Sequence, residues 1–354
     1  LGNITCDNAT RVDWGKVCPK ENNDEIYLLG NPPYLGSRNQ DEDQKEDLKA
    51  LFHKDYKSLD YVTAWFYKGA NYIRRVHAEL AFVSTNSICQ GDLVAKTWPR
   101  ILNNDIEIGF AYQSFKWKNS AKGNAGVTVI IVSLRNVCNS EKFIFIDDLK
   151  KSAKNINNYL VDSSNIIVKS HNESISGFPI MNFGNMAADG GNLILSENEK
   201  NELIKDEPDS EIFIEECIGA HEFLNGKNRY CLWFNSEEDT HDMPLIHEIV
   251  EKVRNTRLNS SRPYLAKIPY LFAQITQPRN KDFILVPRHS SEKRDYIPIG
   301  YFSSDYKALD SVLIVATEQT WLFGLISSKM HMAWVTAVGG KLKTDYRYSA
   351  KICY

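Results

Sequence analysis

A short apolar strand that ends in two consecutive prolines constrains the fold of this 354-residue chain more than any other feature. Glu25–Gly30 (EIYLLG) has the composition of a strand and runs directly into Asn31-Pro32-Pro33-Tyr34. Each proline fixes φ and removes a backbone donor, so the strand must end there and the chain must turn. In open α/β sheets, ligands bind at the carboxyl ends of the strands. The sequence therefore predicts a binding site at this position.

Strand and helix patterns alternate through the first part of the chain, as in an α/β sheet. After the first strand we predict, in order, a helix over Asp41–Phe52, a long helix from Ser58 through Glu79, a strand over Leu80–Thr85, a helix near Leu93–Leu102, and strands over Ile106–Ala111 and Val127–Leu134. Later strands are short and broken by proline and glycine, which is typical of a mixed α+β domain. We expect the two domains to span residues 1–165 and 166–354.

Charge is distributed unevenly along the chain, although the formal net charge is only −3. His241–Tyr354 contains 16 basic and 10 acidic residues, an excess of +6 that leaves −9 for the remainder. A basic segment fits contacts with nucleic-acid phosphates. A solvated surface of mixed charge explains an excess of this size equally well, so charge alone does not decide between the two.

The seven cysteines lie far apart and have neither zinc-binding nor redox-motif spacing, which indicates reduced cytosolic thiols. The eight histidines form no ligand spacing, so we expect no metal site. No apolar stretch approaches the roughly 20 residues of a membrane span, and the first residues have no secretory-signal pattern. We therefore expect a cytoplasmic protein without a membrane partner.

The tetrapeptide after the first strand presents groups that suit a substrate with an aromatic amine. The side-chain oxygen of Asn31 and the carbonyl of Pro32 can accept both hydrogens of an NH₂ group, while Tyr34 offers a flat face for stacking. Accepting both hydrogens draws the nitrogen lone pair out of conjugation and aims it at an electrophilic methyl group, so catalysis comes from positioning. The alternative is a plain proline turn without a function. The aromatic fourth residue and the apolar strand before the tetrapeptide make this alternative less favoured.

On these residues the chain resembles the class I S-adenosylmethionine-dependent N6-adenine DNA methyltransferases, in which Asn-Pro-Pro-Tyr/Phe follows the fourth strand of a Rossmann-like sheet. The resemblance implies that Asn31, Pro32, Pro33 and Tyr34 are the catalytic residues. Asn31 and Pro32 would hold the adenine amino group, and Tyr34 would stack on the flipped base. Extrusion of the base is also a chemical requirement, because the lone pair of N6 is inaccessible inside a stacked duplex.

Two further segments resemble parts of this family. Gln113–Val127 is similar to its aromatic loop before the last hairpin strand. Phe115 would be the second stacking aromatic, with Trp117 as the alternative, and the neighbouring lysines would contact phosphates: Lys116, Lys118 and Lys122. An exposed hairpin with aromatics folded onto the core is the other interpretation. Cys6–Thr10 is similar to a degraded form of the acidic segment that contacts the cofactor adenine, a role that would fall to Asp7 or Asn8.

The glycine-rich first cofactor motif of the family, and the acidic ribose-binding residue after it, do not occur in the sequence. In the family they precede the Asn-Pro-Pro-Tyr segment, and only 30 residues precede Asn31 here. We therefore expect a fragment with a partly truncated methyltransferase sheet, which binds S-adenosylmethionine weakly or not at all by itself and is inactive alone. No Pro-Asp…Glu-x-Lys nuclease core occurs, so a nuclease domain would lie elsewhere in a full-length chain.

The second half resembles the target recognition region of single-chain restriction-modification enzymes of type IIG or IIL. If Lys341–Arg347 is one extended strand, its charged residues share one side: Lys341, Lys343, Asp345 and Arg347. A lysine on guanine beside an aspartate on cytosine could then read one G·C pair, although an ordinary ion pair on an exposed strand is the equal alternative. Weaker candidates for DNA contacts are Arg262, Gln274, Gln277, Arg279 and Arg288.

The function predicted from these features is site-specific methylation of adenine N6 in double-stranded DNA, within a restriction-modification system. Two alternatives remain open. One is a specificity module that binds DNA without catalysis. The other is a protein-glutamine N-methyltransferase, which uses the same tetrapeptide on an amide; the extended, basic region after residue 190 argues against it, because methylation of glutamine needs no such region.

Overall fold

The computed structural model describes residues 4–21, 24–102, 104–117, 128–174, 176–342 and 344–354. The chain forms two compact units. The first comprises Leu1–Ser170 and Ala337–Thr344, and the second comprises His171–Thr336 and Asp345–Tyr354. Among the described residues, no helix is both long enough and apolar enough to cross a membrane.

The helices of the described residues are α1 (Trp14–Val17), α2 (Glu42–Phe52), α3 (Thr63–Ile73), α4 (Gly91–Thr97), α5 (Glu197–Asp206), α6 (Ala220–Asn225), α7 (Pro244–Leu258), α8 (Thr320–Ile326), α9 (Lys329–Val338) and α10 (Ala350–Cys353). The strands are β1 (Ile26–Gly30), β2 (Ala78–Thr85), β3 (Ile106–Lys116), β4 (Thr128–Asn136), β5 (Lys142–Ile146), β6 (Leu149–Ala153), β7 (Met181–Phe183), β8 (Ile194–Leu195), β9 (Ile214–Ile218), β10 (Tyr230–Leu232), β11 (Phe283–Pro287), β12 (His289–Ser290), β13 (Gly300–Phe302), β14 (Lys307–Ala308), β15 (Val312–Ala316), β16 (Gly340–Leu342) and β17 (Asp345–Arg347). Short 3-10 helices cover His53–Ser58, Asn86–Cys89, Trp98–Arg100, Pro208–Phe213, Glu238–Thr240 and Pro263–Lys267.

Six strands of the first unit form one sheet in the order β1-β2-β4-β3-β5-β6. β1 and β2 run parallel, and β4 lies antiparallel between β2 and β3. Alternate residues of β2 are buried because one face of the sheet packs on α3. Gly69 of α3 permits this close approach, since a Cβ there would lie 2.7 Å from Cδ2 of Leu80. The α/β sheet predicted from the alternating pattern is therefore present.

The long helix predicted from Ser58 through Glu79 is wrong at both ends, because α3 covers only Thr63–Ile73. Ser58 belongs to a 3-10 helix, and the chain then turns with the buried carboxylate of Asp60 accepting the N–H of Val62. At the other end Arg75 takes a left-handed φ of 60°, after which β2 begins at Ala78. The apolar periodicity is right, but side-chain hydrogen bonds set the boundaries.

The second unit contains two four-stranded sheets, with the strand orders β14-β9-β10-β8 and β13-β11-β15-β7. All five residues of β11 are buried, which places that strand at the centre of its sheet. α7 packs its buried face, including Ile246 and Val250, into a cluster with Leu232 of β10 and Phe272. Short strands and intervening loops predominate here, as the mixed α+β prediction requires.

A single buried arginine ties the loops of this unit together. Arg257 lies at the end of α7, is 1% exposed, and donates only to backbone carbonyls. These acceptors belong to Ala187, Ala188, Leu265, Ile268 and Leu271, at distances of 2.7–3.3 Å. Burial lowers the pKa of Arg257, and the charge of Asp189 opposes that shift. The guanidinium therefore replaces water for carbonyls that the fold buries.

Replacement of Arg257 with Met should destabilise the second unit by at least about 3 kcal/mol, because several buried carbonyls lose their donor at once. Urea unfolding followed by tryptophan fluorescence measures this, since Trp233 packs against the same core. Lys252→Met on the same helix is the matched control; its side chain is 55% exposed in an ion pair with Glu248, and it should change stability by less than about 1 kcal/mol. Equal losses in the two variants would contradict the assigned role.

Candidate functional site

Asn31–Tyr34 leaves the sheet directly after β1, as the sequence predicts. The Asn31 side chain is exposed, and within the described part of the chain no hydrogen bond occupies its amide. Pro32 is buried, Pro33 is exposed, and Tyr34 is half-buried against the core of the first unit. An acceptor amide and an accessible aromatic ring therefore stand at the carboxyl end of a strand.

The residue after this tetrapeptide is fixed through both of its backbone polar groups. The N–H of Leu35 donates to Oδ1 of Asp60 at 2.9 Å. The Leu35 carbonyl accepts from the N–H of Tyr61 at 3.0 Å and from Nε2 of Gln40 at 2.8 Å. Burial raises the pKa of Asp60, although N–H donors from Val62 and Leu35 oppose the shift. The tetrapeptide is thus held between β1 and a buried hydrogen-bonded anchor.

The candidate second aromatic lies at the end of β3. The ring centroids of Phe115 and Trp117 are 6.3 Å apart, and those of Phe115 and Tyr112 are 6.4 Å apart. Pairing with β4 is irregular between Tyr112 and Phe115, where the register shifts. Lys116 is exposed at this strand end, whereas Lys118 and Lys122 lie outside the described residues. Both candidate stacking aromatics are half-buried and in contact with each other.

The segment compared with the cofactor-binding region is anchored through Asn8. Its amide donates to Oδ2 of Asp47 at 2.9 Å and accepts from the N–H and hydroxyl of Thr10 at 2.9 and 2.7 Å. Asn8 therefore shapes the loop and has little capacity left for a ligand. Asp7 is exposed, and its carboxylate accepts the N–H of Asn8 at 2.6 Å. Of the two candidates, Asp7 keeps the greater capacity to accept a hydrogen bond.

The Asp47 carboxylate joins this segment to the turn before α3. It accepts from Nε of Arg11 at 2.6 Å and from the hydroxyl of Tyr61 at 2.6 Å, in addition to Asn8. Burial alone would raise the pKa of Asp47. Hydrogen bonds from Tyr61, Asn8 and Arg11 outweigh burial, so the pKa lies below its ordinary value. The carboxylate is therefore ionised throughout the neutral range.

The run Lys341–Arg347 does not form one extended strand, which was the condition for its charged residues to share one side. Lys341 lies in β16, where its N–H donates to Oε1 of Gln90, and a turn at Thr344 separates β16 from β17. Asp345 and Arg347 are exposed in β17. Lys343 lies outside the described residues. The structure thus assigns Lys341 to the first unit and the other two described charges to the second.

Strand β17 is fixed by contacts on both of its ends. Oδ1 of Asp345 accepts the N–H of Glu292 at 3.1 Å, and Arg347 pairs in register with His289 of β12. Just beyond the strand, the hydroxyl of Tyr348 bonds Nε2 of His331 on α9 at 2.8 Å. Burial lowers the pKa of His331, which keeps the imidazole neutral. The exposed side chains of β17 therefore project from a fixed backbone.

The weaker candidates for DNA contacts differ in accessibility. Arg262 and Arg279 are exposed, and Arg279 donates to Oδ1 of Asn235 at 3.3 Å. Arg288 lies over the ring of Phe183, 4.8 Å from its centroid. Gln277 is wrong as a candidate, because it is buried and its amide bonds Asn185, Ala308 and Tyr306 within the fold. It supports the unit and does not face a ligand.

Sequence reasoning missed the residues that support the tetrapeptide: Gln40, Asp47, Asp60 and Tyr61. The predicted long helix starts at Ser58 and places the last two in its first turn, where polar side chains are expected to be solvated. The Asp-Tyr pair just before an apolar helical run is the local signal that could have revealed a helix start. No group of three or more potential metal ligands occurs among the described residues.

Comparisons with known proteins bear on both units. Residues 1–146 match the DNA-methyltransferase domain of MmeI, and residues 162–354 match the target recognition domain of MmeI. The chain is 43% identical over 361 residues to DNA methyltransferase A of Bacillus subtilis (strain 168). This match covers 100% of this chain and 41% of that protein. It is similar to the type IIL restriction-modification enzyme MmeI solved in complex with DNA, with a TM-score of 0.91 and 37% identity.

The match to MmeI covers 99% of this chain and 48% of that chain, so the sequence spans less than half the length of either relative. These similarities confirm the fold class predicted from the sequence, a Rossmann-like methyltransferase sheet followed by a mixed α+β target recognition region. They also confirm the resemblance to single-chain restriction-modification enzymes that the tetrapeptide and the second half indicated.

The lowered pKa of Asp47 predicts how stability depends on pH. Its ionised form contributes stability above the ordinary pKa of 3.8, and this contribution is lost as pH falls through the lowered folded-state value. Asp47→Asn should therefore lower the free energy of unfolding by about 1–3 kcal/mol near pH 7. The difference from wild type should shrink below about pH 4.

Thermal or urea unfolding between pH 3 and pH 7 tests this. Asp43→Asn, an exposed aspartate on the same helix, is the control and should change stability by no more than about 1 kcal/mol. A deficit in Asp47→Asn that stays constant over the whole pH range would show that the charge is not the cause.

Proposed function

Because this chain belongs to the MmeI family of DNA methyltransferases with a target recognition domain, we propose that the intact protein methylates adenine N6 at a specific sequence in double-stranded DNA. The activity would form part of a restriction-modification system. The observation that supports it most strongly is the exposed, unoccupied amide of Asn31 beside the half-buried ring of Tyr34, at the end of β1. We assign residues 1–165 to the catalytic domain and 166–354 to target recognition.

In this proposal, the flipped adenine directs its N6 amino group toward Oδ1 of Asn31 and the carbonyl of Pro32. Both oxygens accept, and neither proline of the tetrapeptide has an N–H that could compete for them. The rings of Tyr34 and Phe115 support the base by stacking. Because the bonds to Leu35 hold the loop in advance, little reorganisation is needed when the base arrives.

The proposed cofactor is S-adenosylmethionine, which supplies an electrophilic methyl group when bound. Asp7 fits a role in holding its adenine, because the exposed carboxylate can accept from an exocyclic amine. Asn8 would act indirectly, through the shape of the loop. Since the sequence lacks the glycine-rich cofactor motif, we expect this chain alone to be inactive.

Contacts with the DNA backbone are proposed for a set of cations drawn from both units: Lys116, Lys118, Lys122, Arg262, Arg279, Lys341 and Arg347. Lys343 and Asp345 are proposed to read a base pair. Pairing of β17 with β12 and the bond from the Glu292 N–H to Oδ1 support this for Asp345, because base readout requires a side chain at a defined position. A nuclease in the same full-length chain is also proposed.

Replacement of Asn31 by Ala in the intact protein should lower adenine methylation by at least about 100-fold, because one of two preorganised acceptors is lost. Duplex binding should remain, since phosphate contacts dominate affinity. Methylome sequencing of cells and a filter-binding assay measure the two effects. Asn71→Ala, an exposed asparagine on α3, is the matched control. Methylation at the wild-type level in Asn31→Ala would remove Asn31 from the mechanism.

Exchange of Lys343 and Asp345 for each other should change the methylated sequence at one base pair. A single well-placed contact discriminates between bases by about 1–3 kcal/mol, enough to alter a motif. Methylome sequencing before and after the exchange reports the preferred base directly. Exchange of Glu248 and Lys252, an exposed ion pair on α7, is the charge-matched control. An unchanged motif in the Lys343/Asp345 variant would exclude this pair from base reading.

A further inference from the structure

Asp60 and Tyr61 form a buried dipeptide in the turn that precedes α3. Each is 6% exposed. Oδ1 of Asp60 accepts the N–H groups of Leu35 at 2.9 Å and Val62 at 3.2 Å. A buried carboxylate held by neutral donors contributes little to stability, because desolvation offsets the bonds. Its position in the fold therefore needs another explanation.

One side of the dipeptide controls the proposed base pocket. Asp60 holds the N–H of Leu35, and the N–H of Tyr61 donates to the Leu35 carbonyl at 3.0 Å. Leu35 follows Tyr34 directly, so fixing its peptide groups on both sides fixes the backbone from which the Tyr34 side chain extends, and this limits the rotamers that the ring can adopt. Loss of these bonds would leave Gln40 as the one hydrogen-bond donor described for the Leu35 peptide, and the backbone at Tyr34 would be less restrained.

The other side controls the proposed cofactor segment. The Tyr61 hydroxyl donates to Oδ2 of Asp47 at 2.6 Å, and the same oxygen accepts the amide of Asn8 at 2.9 Å. Arg11 bonds the second oxygen of Asp47 at 2.6 Å. The loop that presents Asp7 is therefore connected to Tyr61 through one carboxylate.

We propose that Asp60-Tyr61 is a positioning element that couples the target-base pocket to the cofactor segment. This inference rests on the proposed function. It adds that the target base and the cofactor stabilise the same arrangement of this turn. When the cofactor segment is ordered, Asp47 fixes the hydroxyl of Tyr61. The N–H of Tyr61 then fixes Leu35, and with it the backbone of Tyr34 that supports the base. By linkage, each ligand then raises affinity for the other by the same factor.

The test uses the intact protein and a duplex that contains its recognition sequence, with 2-aminopurine in place of the target adenine. The dissociation constant and the fluorescence of the flipped base are measured with and without saturating S-adenosylhomocysteine. The coupling factor is the dissociation constant without S-adenosylhomocysteine divided by the constant with it. In the wild type this factor should be about 5 or more, a usual range for coupled sites. Tyr61→Phe, which loses only the hydroxyl, should bring this factor close to one.

Two controls and one further loss variant separate coupling from general damage. Tyr67→Phe removes a hydroxyl from α3 and should leave the factor unchanged. Asp60→Asn keeps an acceptor oxygen and should retain most of the effect, whereas Asp60→Ala should lose it together with the fluorescence of the flipped base. If Asp60→Ala does not fold, the comparison of Tyr61→Phe with Tyr67→Phe still decides the question.

A wild-type factor near one, or an unchanged factor in Tyr61→Phe, would overturn the coupling. That failure is distinct from failure of the proposed function. If Asn31→Ala abolishes methylation while the factor is insensitive to Tyr61→Phe, only the coupling is wrong. If methylation survives in Asn31→Ala, the base pocket itself has been misassigned.

Discussion

The two prolines that end β1 impose the constraint on which the first unit depends. Neither can donate a backbone hydrogen bond, so the sheet cannot continue beyond Gly30 along this strand. The chain must instead be held at a later residue, and that anchor is the peptide of Leu35 on Asp60, Tyr61 and Gln40. Asn31–Tyr34 is therefore restrained at both ends, by β1 before it and by the hydrogen-bonded peptide of Leu35 after it. A short segment restrained in this way can present polar acceptors to a ligand without moving.

Local sequence patterns predicted the parts of this arrangement that local physics determines. The strand, its proline stop and α2 follow from composition and capping, and Asp41 and Gln44 form the capping box at the start of α2. The anchors could not be predicted in this way. Asp60 acts on Leu35, 25 residues earlier, and Asp47 acts on Asn8, 39 residues earlier. A polar side chain in an apolar run gives no sign of which distant backbone group it will meet.

The recognition region shows the same difference between pattern and context. The charges of Lys341–Arg347 would share one side if the run were a single strand, yet the chain turns at Thr344, and only Asp345–Arg347 belongs to β17. β17 is held by the N–H of Glu292 and by the hydrogen-bonded pair of His331 and Tyr348. Because burial keeps His331 neutral, protonation of the imidazole does not disturb this support near neutral pH. Resemblance identified the region, but tertiary contacts determine how its side chains are presented.

The bonds of Arg257 have a consequence for how the second unit can evolve. Its acceptors are main-chain carbonyls, and every amino acid provides one whatever its side chain. Substitutions at outward-facing positions of these loops therefore leave the bonds from Arg257 to the loop carbonyls in place. Point substitutions can therefore diversify the surface of this unit during evolution while its loop backbone keeps the same conformation.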